Sequence, residues 1–340
     1  MATSQDNGTT SIGLVHEALL SARQQRIDVA PALREADIDP QLLNSPRARI
    51  SPAAFARLWV SLAELLDDEF FGMDSHPMRR GSFELMCHTL VHCETLGQAL
   101  ERVLSFMRVV LDDIYGELHV QEISGIIVLQ DYGVSRRLFT YGIWLTMVHG
   151  LMCWLINQRI PIQALSFHAS KPPDDSDYRM RFCEGIQFSA PITQMRFDKK
   201  FLSLGIAQNT ASLSAFLESS PARLLVKYRN DDSISVLIRR FLRGMSPHSW
   251  PERDELARIL GMSNSTLLRR LQTEGTHYQG LKDDLRRDMA IYLLSRGEMT
   301  VTDVATEIGF QEVSAFHRAF KKWTGINPGA YRRGQTDDYV

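Results

Sequence analysis

Two short stretches near the C-terminal end concentrate side chains able to hydrogen-bond nucleic acid. Ser265, Thr266, Arg269 and Arg270 lie on one helical face, and Ser314, His317, Arg318, Lys321 and Lys322 on another. Hydroxyl and guanidinium groups presented from one helix face can reach base edges in a major groove, and lysines can meet phosphates. Other chemistry is poorly supplied. Cys87-His88 and His92-Cys93 put four potential metal ligands in seven residues, with His88 and His92 at i, i+4 as metal-binding histidines are. Thr89-Leu90-Val91 between them lacks the glutamate of a zinc hydrolase, and on a continuous helix the two cysteines point elsewhere. A packed helix is expected there, with no metal and no other cofactor. The sequence contains no G-x-S-x-G, no glycine-rich phosphate loop and no paired-cysteine zinc motif. An enzyme is therefore not expected.

The elements that must position the two polar faces form an imperfect repeat, Asp254–Gly275 and Thr302–Gly325. Leu256, Ala257, Leu260 and Gly261 match Val304, Ala305, Ile308 and Gly309, and Leu267 and Leu271 match Phe316 and Phe320. The small residue allows two helices to approach closely, and the glycine permits the left-handed backbone of a tight turn. A second helix follows, capped in the first copy by Ser263, with its apolar face inward and its polar face out. The spacing predicts helix-turn-helix units over 253–275 and 301–325. Leu281, Leu285, Met289, Leu293 and Leu294 keep helical spacing between them. That run, Gln279 to Arg296, is roughly 27 Å long at 1.5 Å per residue. A rod of that length can hold two recognition helices about one duplex turn apart on one face of DNA.

Three segments carry a family resemblance: LARILGMSNSTLLRRLQTEG (256–275), LRRDMAIYLL (285–294) and VATEIGFQEVSAFHRAFKKWTGINPGAYR (304–332). Together they closely resemble the DNA-binding domain of the AraC/XylS family of transcription regulators, over Trp250 to Arg333. The resemblance implies double-stranded promoter DNA and RNA polymerase as partners, and activation as the usual effect. It places Ser265 and Arg269 where the first recognition helix meets bases, and Ser314, His317 and Arg318 where the second does. Asn264, Ser265 and Leu268 replace the proline, arginine and glutamine common in related sequences. Upstream, ETLGQALERVLSF (94–106), LSFHAS (165–170) and YRMRFCEGIQFSAPITQMRFDKKFL (178–202) resemble the arabinose-binding-type sensor domain of a subset of that family. That likeness implies a small-molecule effector of unspecified identity and a homodimer. The alternative is a regulator controlled by a protein partner through the same domain.

The bulk properties agree with a two-domain soluble chain. Of 340 residues, 44% are hydrophobic and 23% charged, with a formal net charge of -2. Ser246 to Arg333 carries roughly +2, a weakly positive end on a weakly negative body. The N-terminal MATSQDNGTTSIG lacks the features of a signal peptide, and four scattered cysteines do not make a disulfide framework, so a cytoplasmic location is expected. The organisation predicted is an α+β N-terminal sensor domain over 11–245, followed over 250–333 by an all-α DNA-binding domain, two helix-turn-helix motifs joined by a linker helix. Gly244 to Trp250 marks the boundary.

In the first domain, helical spacing covers Ile12–Ala22, Ala30–Ala36, Ser51–Leu66, Phe83–His92 and Leu96–Leu111, and residues 1–10 should be disordered. Glu117–Ile123 and Ile126–Gln130 read as a hairpin turning at Ser124-Gly125. Leu138–Ile156 has no charged residue and is long enough to span a bilayer. Amid soluble patterning it reads as a helix buried on nearly all sides, with no membrane partner. Tyr141, Trp144 and His149 on it are the candidate effector contacts, weighed against plain core packing. The apolar stripe Ile234, Leu237, Ile238, Phe241 and Leu242 is the candidate relay or dimer contact.

Overall fold

The computed structural model describes residues 9–218, 220, 234–274 and 276–333. The chain forms two compact units: one of residues 14–36 and 55–230, the other of 1–13, 37–54 and 231–340. In chain order the first elements are β1 (Thr10–Ser11), α1 (Ile12–Gln24), α2 (Ala30–Glu35), β2 (Arg49–Ile50), α3 (Pro52–Leu66), α4 (Ser82–Leu90) and α5 (Leu96–Val110). Then come β3 (Tyr115–Val120), β4 (Ser124–Gln130), α6 (Leu138–Leu155), β5 (Ile162–Ser166), α7 (Ser176–Arg181), β6 (Ile186–Gln187), β7 (Thr193–Asp198) and α8 (Thr210–Glu218).

The first unit is built on a five-stranded sheet in the order β3-β4-β7-β5-β6. All its pairs are antiparallel except β5-β6. The α5 helix starts at Thr95, whose hydroxyl accepts from the Gln98 amide at 3.3 Å, and buries Leu96, Leu100, Val103, Leu104 and Met107. The sequence reading put Ser124-Gly125 in the turn of the β3-β4 hairpin, but both lie in β4. Gly125 serves close packing instead: a Cβ there would fall 2.7 Å from the Phe197 ring. In the charge-free α6, 94% of the residues are buried, which accounts for its apolar composition without a bilayer. Gly116 lets β3 lie against it, since a Cβ would come within 2.5 Å of the Trp144 indole.

The second unit is helical apart from the short β1-β2 strand pair. Its elements are α9 (Ile234–Arg243), α10 (Arg253–Ile259), α11 (Asn264–Thr273), α12 (Tyr278–Arg296), α13 (Val301–Glu307), α14 (Val313–Thr324) and α15 (Pro328–Arg333). Two findings depart from the expected boundaries. First, α9 belongs to this unit rather than to the sensor domain expected to run to residue 245: Ile234, Ile238 and Leu242 share a core with Trp250, Leu256, Leu267 and Leu285. Its apolar stripe is thus largely spent inside its own unit, which removes it as an open relay or dimer face, and only Leu237 stays substantially exposed.

Second, the N-terminal segment joins this unit. Residues 1–8 of the stretch expected to be disordered lie outside the described residues, but Thr9 is buried and Thr10 pairs with Ile50 in β1-β2. The Thr9 hydroxyl donates to Asp288 on α12 at 2.6 Å. Arg49 donates to the Thr9 hydroxyl at 2.7 Å and to its carbonyl at 2.9 Å. The Tyr331 hydroxyl, on α15, donates to the Arg49 carbonyl at 3.0 Å. These partners are needed because Arg49, Asp288 and Tyr331 are almost fully excluded from solvent.

Candidate nucleic-acid interface

Both helix pairs of the repeat form as their residues dictate. Gly261 and Gly309 take the left-handed φ values of 66° and 86° required by their turns. Ser263 caps α11, its hydroxyl accepting from the Thr266 amide at 3.1 Å. Thr300 and Asp303 form a reciprocal capping box at the start of α13, each backbone-to-side-chain bond being 3.1 Å. Ala257 and Ala305 are buried, and Leu267, Leu271, Phe316 and Phe320 fill the inward faces of α11 and α14. Three ring pairs, Phe310–Phe316, Phe316–Phe320 and Phe320–Tyr331, at 5.7, 5.6 and 5.6 Å, continue the core of the second copy into α15.

This packing leaves the polar faces outward. On α11, Ser265, Arg269 and Arg270 are exposed and Thr266 is half-buried. On α14, Ser314, Arg318, Lys321 and Lys322 are exposed and His317 is half-buried. The Ser263 hydroxyl sits 2.9 Å from that of Ser265 and 2.8 Å from that of Thr266, so the N-terminal turn of α11 presents a fixed hydroxyl cluster. The Asn264 amide is held by Asp254. Ser314 donates to Glu312 at 3.3 Å, and His317 packs edge-on against Phe316. Between the two pairs, α12 runs for 19 residues, about 28 Å, and stops at Gly297 with φ 68°.

One residue that the sequence reading passed over ties the two copies together. The Arg286 guanidinium on α12 lies 5.1 Å from the Trp250 ring, which precedes the first pair, and 5.6 Å from the Phe310 ring in the second. Its Nε donates to the Ile308 carbonyl at 3.2 Å. Burial pulls its pKa below the usual arginine value. Nothing in residue spacing marks Arg286 out from neighbouring Arg287, which turns to Asp284 and Asp288 at 3.1 Å each.

The other sequence candidates lie in the first unit. The α4 helix ends at Leu90, so His88 and His92 do not share one helical face; Cys87 and Cys93 are buried. Tyr141 is fully buried and donates to Asp131 at 2.5 Å, while Asp131 also lies 2.8 Å from the His168 ring. Burial alone would raise the Asp131 pKa, but these two hydrogen bonds hold it below the ordinary carboxylate value. His149 sits 2.9 Å from the Ile160 carbonyl through Nε2, which must therefore carry the proton. Burial, reinforced by Arg159 and Arg181, depresses its pKa to about 4, so the ring is neutral. Trp144 is wholly buried, and its indole N–H has no hydrogen-bond acceptor among the described residues.

Two helix-turn-helix pairs with outward polar faces, joined by a helix and braced by a shared arginine, define a DNA-binding protein. A family profile described as the arabinose-binding domain of AraC transcription regulator, N-term, matches residues 27–206, and one described as a helix-turn-helix domain matches 256–334. The chain belongs to the AraC family of transcription regulators. It is 25% identical over 307 residues to the ornithine utilization regulator of Pseudomonas aeruginosa, covering 87% of this chain and 88% of that protein. It is 40% identical over 84 residues to an uncharacterized HTH-type transcriptional regulator of Mycobacterium tuberculosis, a quarter (25%) of this chain and 24% of that one. Among solved structures it is similar to the transcriptional regulator CdpR from Pseudomonas aeruginosa, at 21% identity and a TM-score of 0.30, over 94% of this chain and 98% of that one.

Proposed function

We propose that this regulator is an effector-responsive activator that reads two half-sites on one face of promoter DNA, one with each recognition helix. The observation that carries the reading is the pair of exposed polar faces on α11 and α14, joined by a 19-residue helix. Arg269 and Arg318 read base edges, helped by Ser265, Thr266, Ser314 and His317. Arg270, Lys321 and Lys322 meet phosphates. The family resemblance supports contact with RNA polymerase, homodimerisation and a cytoplasmic location.

The sheet-bearing unit is the sensor. Its match to the arabinose-binding profile supports a small-molecule effector. Tyr141 and His149 spend their polar groups on Asp131 and Ile160, which favours a role in holding α6 in place. The test is DNA selection by the purified chain followed by anisotropy titrations. Arg269→Ala and Arg318→Ala should each cost about 1–3 kcal/mol on the selected site. Unchanged affinity in either variant would remove that residue from the readout.

A further inference from the structure

The sensor unit contains a cavity of ≈ 400 Å³ bordered by α3, α4, α6 and α8. That volume suits a metabolite rather than a large lipid, being near the lower end of the ~300–1,000 Å³ range of small-molecule sites. Its apolar lining includes Trp59, Phe83, Met147 and Leu217. Three carboxylates, Glu64, Glu69 and Glu84, also line it, against a single cation, Arg80.

Arg80 is already engaged, its guanidinium 2.9 Å from Glu64. Glu84 lies 3.9 Å from His88, outside the lining, and its side chain is 63% exposed at the rim. Glu69 sits deeper and is oriented by two backbone amides, Gly81 at 2.9 Å on one oxygen and Phe83 at 2.7 Å on the other. Each of these oxygens retains a lone pair for a further donor. A second polar group waits in the same lining: the Ser220 hydroxyl is buried and makes no hydrogen bond among the described residues. The lining therefore offers two carboxylates beyond the Glu64 that pairs directly with Arg80, an unpaired hydroxyl and two aromatic rings. Aromatic faces and carboxylates together are what an organic ammonium needs, through ion pairing and cation–π attraction. An anionic ligand would meet net repulsion there.

We propose that this cavity is the effector site and that its ligand is a small organic ammonium, with the charged head at Glu69 and Glu84 and an apolar body against Trp59, Phe83 and Met147. The proposal rests on reading this unit as the sensor. The test uses the full chain with hexylamine and phenethylamine as probes, and hexanoate and 3-phenylpropanoate as anions of matching shape. Both amines should raise the melting temperature at up to about 10 mM, where even millimolar binders stabilise the fold measurably, and the anions should not. Glu69→Gln should weaken amine binding about tenfold or more, as loss of a charged hydrogen-bond partner does. Glu84→Gln, a rim change that does not disturb the fold, should weaken it in the same direction and keeps the test open if the Glu69 variant unfolds. Stabilisation by the anions alone overturns the ammonium assignment and leaves the sensor reading standing. Amine binding that both variants leave unchanged places the amine elsewhere and overturns the site. Silence from all four probes overturns the ammonium assignment, and silence from a broad metabolite set as well takes the sensor reading with it.

Discussion

Replacing Arg286 with methionine keeps the aliphatic stem in the core and removes the guanidinium that bridges the two helix-turn-helix pairs. Three interactions are lost: the approaches to Trp250 at 5.1 Å and Phe310 at 5.6 Å, and the 3.2 Å hydrogen bond to the Ile308 carbonyl. Each cation–π contact contributes about 0.5–2 kcal/mol and a hydrogen bond from a charged donor about 1.5–3. At these long separations the lower part of each range applies, giving a loss of about 3 kcal/mol. Trp250 precedes the first pair while Phe310 and Ile308 belong to the second, so the loss loosens one pair against the other. Thermal unfolding should show the destabilisation. Anisotropy titrations should show a loss of about tenfold on a duplex carrying both half-sites and little change on a duplex carrying one. An unchanged melting temperature together with unchanged two-site affinity would refute the bridging role. Equal losses on both duplexes would mean that Arg286 supports folding without aligning the two readers.

Three further outcomes follow from the same geometry. His149 is held neutral with a pKa of about 4 by burial, so the unfolded chain takes up a proton there, near its ordinary value of about 6.5, that the folded chain refuses. Its contribution is constant above about pH 6.5, and stability should fall by about 3 kcal/mol as pH drops to about 4, a slope that His149→Gln should flatten in denaturant titrations. Arg49→Met strips two donors from buried Thr9 and should cost about 2–4 kcal/mol in urea unfolding; a neutral result would show that the N-terminal strand does not anchor to the helical unit. Replacing Lys321 and Lys322 together with alanine should lower the magnitude of the log–log salt slope of DNA binding by about 2 while leaving sequence preference intact. An unchanged slope would remove both from the phosphate contacts.

The repeat was legible because its turns demand particular residues. Gly261 and Gly309 sit at positive φ, Ser263 caps a helix, and the apolar positions of α11 and α14 recur at helical spacing. Local chemistry fixes such features, so spacing reveals them. The destination of α9 was not legible for the complementary reason. Ile234, Ile238 and Leu242 show that one face is buried, but periodicity does not say against what, and the partner core lies partly beyond Trp250. The Thr9–Arg49–Asp288–Tyr331 network joins residues up to 282 positions apart, and no local pattern marks it. Gly125 resembled a turn residue because glycine serves both turns and close approaches, and only the Phe197 ring across the sheet distinguishes them. Glu69 and Glu84 carried no signal, since isolated glutamates, whether in a turn or on a helix, are ordinarily solvated.

The most direct measurement is selection of bound sequences from a random duplex library by the purified full chain at about 0.15 M salt, repeated with Arg269→Ala and Arg318→Ala. The expected result is a bipartite motif with half-sites about 10 base pairs apart, one half relaxed by the first variant and the other by the second. A single-part motif, or one whose two halves respond identically to both variants, would contradict two independent readers on one rod.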